Sequence, residues 1–194
     1  MKMIDRIKEA INQSIDLKNA ILEDETLLMA INIVSVKMAT CFKNGGKILF
    51  CGNGGSAADA QHLAAEFSGR FYYDRPPLYA EALHVNSSFV TAVANDYSYD
   101  EVYARMIRAM GRKGDILVAI STSGNSGNIL RAIDAALEKE MIVVGMTGKT
   151  GGLMKEKCSF LFNMLSTDTP RVQESHIMIG HILCELVEAA VFPK

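Results

Sequence analysis

The sequence predicts an α/β fold: a three-layer, doubly wound sheet of mainly parallel strands, with helices at the N-terminus and a long buried helix at the C-terminus. Three observations carry that expectation. Short runs such as residues 115–120 (DILVAI) are apolar without alternation, which marks strands covered on both faces. These runs are followed by Gly, Ser or Thr turns and then by apolar residues at helical spacing, so strand and helix alternate along the chain. Finally, 194 residues with 49% hydrophobic and 22% charged side chains can fill one sizeable core.

The elements follow in order. Ile4, Ile7, Ile11 and Ile15 recur every three or four residues, as do Leu27, Ile31, Val34, Met38 and Phe42, so two helices open the chain. Asn44-Gly45-Gly46 ends the second. The period then changes. Residues 47–51 (KILFC) form a short strand that meets the turn Gly52-Asn53-Gly54-Gly55, and Ser56 reads as the N-cap of a helix reaching about Gly69. Arg75-Pro76-Pro77 breaks the chain before a strand near 78–83. Residues 115–120 are the next strand, followed by Ser121-Thr122-Ser123-Gly124-Asn125-Ser126 and a helix over about 127–139. A strand at 141–146, a loop over 147–152, a short helix and a strand at 159–162 repeat the alternation. The last helix, about 171–190, carries Ile177, Met178, Ile179, Ile182, Leu183, Leu186 and Val187 and has almost no polar side. Such a helix is expected to be buried all round. In a chain of this size another subunit supplies the cover most easily, which predicts a homo-oligomer with the N-terminal helices also at the interface. With no linker, repeat or low-complexity stretch, residues 1–194 form one domain, with 1–44 as a helical appendage.

Composition excludes several functions. Lys and Arg number 20 against 22 Asp and Glu, and no segment gathers basic residues, so nucleic acid is not an expected partner. The four cysteines form no CxxC pair and read as buried thiols of a reducing compartment. The first residues mix charge into their apolar positions, unlike a signal peptide, and no uninterrupted apolar run approaches the ~18 residues of a membrane span. The expectation is a soluble, cytoplasmic protein without a membrane partner.

The residues that could carry chemistry cluster at strand ends. Ser121, Thr122, Ser123 and Ser126 offer hydroxyls beside the free N–H groups of a helix start, at the carboxyl edge of a parallel sheet. Hydroxyl donors without the lysine of a P-loop suit a phosphomonoester. A turn that merely caps its helix is the plainer alternative. Gly52, Gly54 and Ala57 fit the dinucleotide fingerprint G-x-G-x-x-A, but Asp74, at the distance of its ribose-binding acid, sits in a loop. The glycine turn more economically offers Asn53 and backbone amides to the ligand of the serine loop. His62 and Glu66 stand at i and i+4 on one helix face. A carboxylate on a partly desolvated face is a general-base candidate, whereas alone the pair reads as an ordinary surface contact. His181, in the apolar last helix, reads by default as a satisfied core histidine, and its place at an expected interface makes it an acid–base candidate.

At these motifs the chain resembles a known family. The segments CGNGGSAADAQHLAAEFSGRF, AVANDYSYDEVYARMI, ISTSGNSGNIL and RVQESHIMIGHIL are similar to those of sugar-isomerase (SIS) domains, and within them the phosphoheptose isomerases. The resemblance covers nearly the whole chain and implies a flavodoxin-like SIS fold. It implies conversion of sedoheptulose 7-phosphate to D-glycero-D-manno-heptose 7-phosphate through an enediol, for lipopolysaccharide core or another surface heptose. It places the phosphate on Ser121, Thr122, Ser123 and Ser126, and the sugar on Asn53, Gly54, Gly55, Ser56, Asn95 and Asp96, with Gln173 also contacting substrate. The catalytic pair falls on Glu66 and His181, and one zinc ion per subunit on His62, Glu66, Gln173 and His181. It also implies a homotetramer with sites at subunit interfaces. Gln173 and His181 are about 12 Å apart along a straight helix at ~1.5 Å per residue, so both side chains must lean inward to share one ion.

Two other readings compete. Related SIS proteins of similar length act as non-catalytic binding modules, including one that associates with a replication initiator, and these have no need of Glu66 or His181. A nicotinamide oxidoreductase lacks both the ribose-binding acid and the length for a substrate domain.

Overall fold

A computed structural model describes residues 2–194. The near-continuous apolar runs become five strands: β1 (Ile48–Gly52), β2 (Ala80–Ala82), β3 (Ile116–Ser121), β4 (Ile142–Thr147) and β5 (Phe160–Asn163). All pair in parallel, in the order β2-β1-β3-β4-β5. Because side chains alternate across a sheet, each strand feeds two cores. Ile48, Phe50, Val118, Val144 and Phe162 face a layer formed by α1 (Met3–Glu23), α2 (Glu25–Lys43), α3 (Gly55–Ser68) and α7 (Thr169–Val191). Leu49, Cys51, Leu117, Ala119 and Val143 face α4 (Ser87–Asp96), α5 (Val102–Met110) and α6 (Gly127–Glu138). Burial on both faces is why these strands show no polar alternation.

The strand order sets where a ligand can enter. After β1 the chain runs to the edge strand β2 and then returns to β3 on the other flank of β1. The connection after β1 leads to α3 on one face, and that after β3 leads to α6 on the other. The two loops therefore part at the β1/β3 carboxyl ends, the switch point at which such sheets bind ligands. At the opposite edge a buried pair, Lys47 Nζ to Asp115 Oδ2 at 2.6 Å, joins the starts of the same two strands.

Several expectations change. Ser56 does not cap α3. Gly54 is the N-cap, with φ +55° and ψ −121°, and Ser56 is buried inside the first turn. A side chain is disfavoured at that φ, so glycine takes the N-cap position and no side chain accepts the first-turn N–H groups. The region 86–110 holds two helices and a 3-10 turn (Tyr99–Glu101) that the sequence reading left without elements. The short helix after the 147–152 loop is a 3-10 turn, Gly152–Glu156. α2, at 19 residues and with a mean hydropathy of 1.4 over 18 of them, is long and apolar enough to cross a membrane by length and composition, although Asn32, Ser35 and Lys37 interrupt its apolar run. Its eight buried residues, Leu27 and Phe42 among them, pack into the core instead. α7 is not buried all round within one chain: Val172, Ile179, Leu183 and Val187 face the core, while Ile182 and Leu186 are exposed.

Candidate active site

The glycine loop is held by its neighbours. Tyr103, fully buried, donates its hydroxyl to the Gly52 carbonyl. Asn53 and the buried Asn128, in the first turn of α6, exchange carboxamide hydrogen bonds of 2.9 and 2.8 Å, and Tyr99 adds a 3.3 Å bond to Asn53 Oδ1. The side chain expected to reach a sugar is thus engaged with the serine-loop helix, locking the two loops together. Neither Asn128 nor Tyr99 was signalled by sequence spacing, since 75 and 46 residues separate them from Asn53.

The serine loop is compact. Ser121 Oγ lies 3.0 Å from Ser126 Oγ and 3.4 Å from Ser123 Oγ. Ser126 precedes α6, yet its hydroxyl caps no helix N–H, so the first-turn donors stay open. A cleft of about 340 Å³ lies between the two loops, lined by Asn53, Gly54, Gly55, Ser56, Ser121, Thr122, Ser126, Thr169 and Gln173. It is polar, and the open helix N-terminus favours an anion. Ser123 lines a neighbouring cleft of about 270 Å³ with Lys149, and Thr122 lines both. Thr169, which lines both clefts, stands just before Pro170 at the start of α7 and was not picked out in the sequence.

Farther along α3, three side chains meet. His62 Nε2 lies 3.0 Å from Glu66 Oε1 and 3.2 Å from His181 Nε2, which α7 brings in from 119 residues away. One ligand atom from each of the three falls within 4.8 Å of the others. A single proton or a single lone pair on His62 Nε2 serves both short contacts only by being shared between them. If His62 Nε2 carries a proton for Glu66, it has no lone pair for His181; if it accepts from His181, it turns a lone pair toward a carboxylate. Three electron-pair donors that converge in this way suit a shared cation.

The other expected residues are placed less directly. Gln173 lies in the cleft with its carboxamide against Gly55, where an added Cβ would collide with it. Gly55 is seven residues before His62, about 10 Å along α3. Asn95 and Asp96 end α4, bonded to each other at 2.9 Å and exposed, and neither lines the cleft. Tyr99, three residues beyond, connects their segment to Asn53. Asp59, one turn before His62, is pushed above the ordinary aspartate range by burial, against the opposing pull of His62, and its Oδ2 has no partner among the described residues.

Comparisons with known proteins identify the family. Residues 11–148 match the family model for the SIS domain. Phosphoheptose isomerase of Aneurinibacillus thermoaerophilus is 52% identical over 190 residues, covering 98% of this chain and 96% of its own. Phosphoheptose isomerase 2 of Campylobacter jejuni is 49% identical, covering 97% and 94%. The solved phosphoheptose isomerase of Neisseria gonorrhoeae superposes with a TM-score of 0.91 at 40% identity, over 97% of this chain and all of that one. The chain belongs to the SIS family and, within it, to the phosphoheptose isomerases.

Proposed function

We propose that the protein is an aldose–ketose isomerase that converts sedoheptulose 7-phosphate to D-glycero-D-manno-heptose 7-phosphate, for bacterial heptose biosynthesis. The observation that carries this reading is the meeting of Glu66 and His181 on α3 and α7, the two helices whose first turns, with Gly55 and Thr169, also line the polar cleft beside the serine loop. The names of relatives at about 50% identity support it.

In this reading the hydroxyls of Ser121, Thr122, Ser123 and Ser126 and the first N–H groups of α6 hold the phosphate. The main chain of Gly54 and Gly55, with Ser56 and Gln173, orients the sugar, Asn53 fixes the loop through Asn128, and Asn95 and Asp96, which do not line the cleft, are assigned to the sugar by family resemblance alone. Glu66 Oε1 faces His62, whereas Oε2 makes no described hydrogen bond. Oε2 takes the proton from the carbon beside the ketone, and the C–H electron pair forms the C=C bond of a cis-enediol as the carbonyl oxygen gains a proton. His181 exchanges protons between the two adjacent oxygens. Return of the proton from Glu66 to the neighbouring carbon completes the aldose. General acid–base groups of this kind each contribute about 10²–10⁴-fold.

The donor set also fits zinc. A tetrahedral ion with bonds of ~2.0–2.1 Å keeps its ligand atoms about 3.3 Å apart, close to the two spacings around His62. His62, Glu66 and His181 would hold the ion, with Gln173 the fourth candidate. When bound it polarises the carbonyl and stabilises the enediolate. We also propose a homo-oligomer, a tetramer by family resemblance, acting in the cytoplasm. Ile4, Ile7, Ile11 and Ile15 form a stripe on α1 that is about half exposed in the single chain, an unusual outlay of apolar surface unless covered.

The test is a mass-spectrometric assay with sedoheptulose 7-phosphate on metal-free and zinc-loaded protein. Aldoheptose 7-phosphate is expected, with Glu66→Gln and His181→Gln each slowed about 10²–10⁴-fold. His62→Ala is expected to bind less zinc by titration calorimetry. Binding of the phosphosugar without turnover in either metal state would replace this reading with the binding-module one.

A further inference from the structure

The catalytic reading needs Glu66 on α3 and His181 on α7 to keep a fixed separation, and the segment between Gly69 and Pro76 supplies a means. Arg75 reaches back to the C-terminal end of α3. Its Nη2 donates to the Glu66 carbonyl at 2.8 Å, and its Nη1 to the carbonyls of Phe67 at 2.8 Å and Gly69 at 3.0 Å. These groups are left without helical partners at a helix end, and the dipole there favours a cation. The remaining donor, Nε, binds Glu188 Oε1 at 2.9 Å, and both side chains are at most 2% exposed.

Glu188 belongs to α7, two turns after His181 and on the same face. Its carboxylate also takes the N–H groups of Phe71 at 3.0 Å and Tyr72 at 2.8 Å. Phe71 in turn packs against the His181 ring, with centroids 5.9 Å apart. One buried ion pair therefore grips the main chain of Glu66 at one end and, through Phe71, the ring of His181 at the other. Every acceptor oxygen of Glu188 is used, and four of the five N–H donors of Arg75 have partners by count of its bonds. A pair satisfied to this degree is suited to fixing geometry, since burial alone earns a salt bridge little stability.

We infer that Arg75 and Glu188 are positioning residues for the reaction, setting the distance and orientation between Glu66 and His181. The inference rests on the reading of those two as the catalytic pair. The phosphate end of the cleft lies on other elements, so loss of the device reduces turnover and leaves substrate affinity in place.

Steady-state kinetics with sedoheptulose 7-phosphate on the full-length protein test this, at a temperature well below each variant's own Tm. Glu188→Gln, nearly isosteric, is expected to lower kcat about 10- to 100-fold, the scale of a displacement near 1 Å, with KM changed less than about twofold. Arg75→Lys keeps the charge but cannot serve three carbonyls and a carboxylate together, and is expected to behave alike. If Arg75→Ala folds, added guanidinium restores part of its kcat. A lower Tm with unchanged kcat in both Glu188→Gln and Arg75→Lys would overturn the inference and leave a purely structural strut. So would a KM that rises in step with any loss of kcat/KM while kcat holds, because the pair would then serve binding. Glu66→Gln and His181→Gln are run alongside. If they keep turnover, the catalytic reading itself fails; if they are inactive while Glu188→Gln is wild type, only the positioning role does.

Discussion

Acid is expected to destabilise this protein through His176, a residue outside the site chemistry. His176 is 1% exposed, under α7, with Nε2 3.2 Å from the Thr147 carbonyl and Nδ1 without a partner among the described residues. Nε2–H therefore donates to that carbonyl, and a second proton would place a charge at Nδ1 with nothing to receive it. Burial lowers the imidazole to about 4 from its ordinary 6.5, with the Thr147 carbonyl pulling the other way. Between those two values the unfolded chain takes up a proton that the native protein refuses. Stability consequently falls as pH drops from about 6.5 to about 4 and levels off below, and the gap is worth about 3 kcal/mol at ~1.4 kcal/mol per pH unit. Urea unfolding at fixed protein concentration, from pH 7 to 4.5, measures it in wild type and His176→Gln. The variant can still donate to Thr147 but cannot titrate. Other groups with acid-side effects, His84 lowered by burial and Glu188 held below the usual carboxylate range by Phe71, Tyr72 and Arg75 despite burial, are common to both proteins and cancel. A wild-type-minus-variant difference that stays flat across the range would refute the reasoning.

Two further outcomes follow from the geometry. Ser121→Ala and Ser126→Ala, each removing one of two hydroxyls 3.0 Å apart, should raise KM for sedoheptulose 7-phosphate about tenfold, the value of one hydrogen bond to a charged group, and an unchanged KM would remove the phosphate from this loop. Ile11→Glu, in the middle of the exposed α1 stripe, should reduce the particle mass measured by light scattering, and an unaltered mass would free that stripe from any role in assembly.

What could be read in the sequence was local. Strands buried on both faces announce themselves by uninterrupted apolar runs, and the glycine and serine turns mark the switch point because a tight turn and a helix start demand particular residues. What escaped depends on contacts across the chain. His176 and His181 lie five residues apart on one helix, and only the packing of α7 decides that the first turns into the core and the second toward His62. Asn53 looks free until Asn128 arrives from 75 residues away. Arg75 stood beside two prolines as a chain breaker, and its partner Glu188 is 113 residues distant. The partners of the buried α2 face, α3 and α7 in one core, are likewise set by packing and not by the local pattern.

The serine loop leans on a second loop largely through main chain, with Asn125 Oδ1 accepting the Leu153 N–H at 2.9 Å as the side-chain link. Gly124, at φ +68°, faces the main chain of Gly151 and Gly152 so closely that a Cβ at 124 or 152 would strike backbone. Met154 N–H donates to the Gly124 carbonyl at 3.1 Å, and Gly148 N–H to the Thr122 carbonyl at 3.0 Å. The curvature of the loop is therefore dictated by its neighbour's backbone before any anion is present. Its ordering entropy is met during folding, leaving more of the contact energy to appear as affinity. For the phosphate role proposed above, the same packing predicts discrimination by shape, since a Cβ at 124 or 152 has no room and the loop meets an anion with the curvature its neighbour sets.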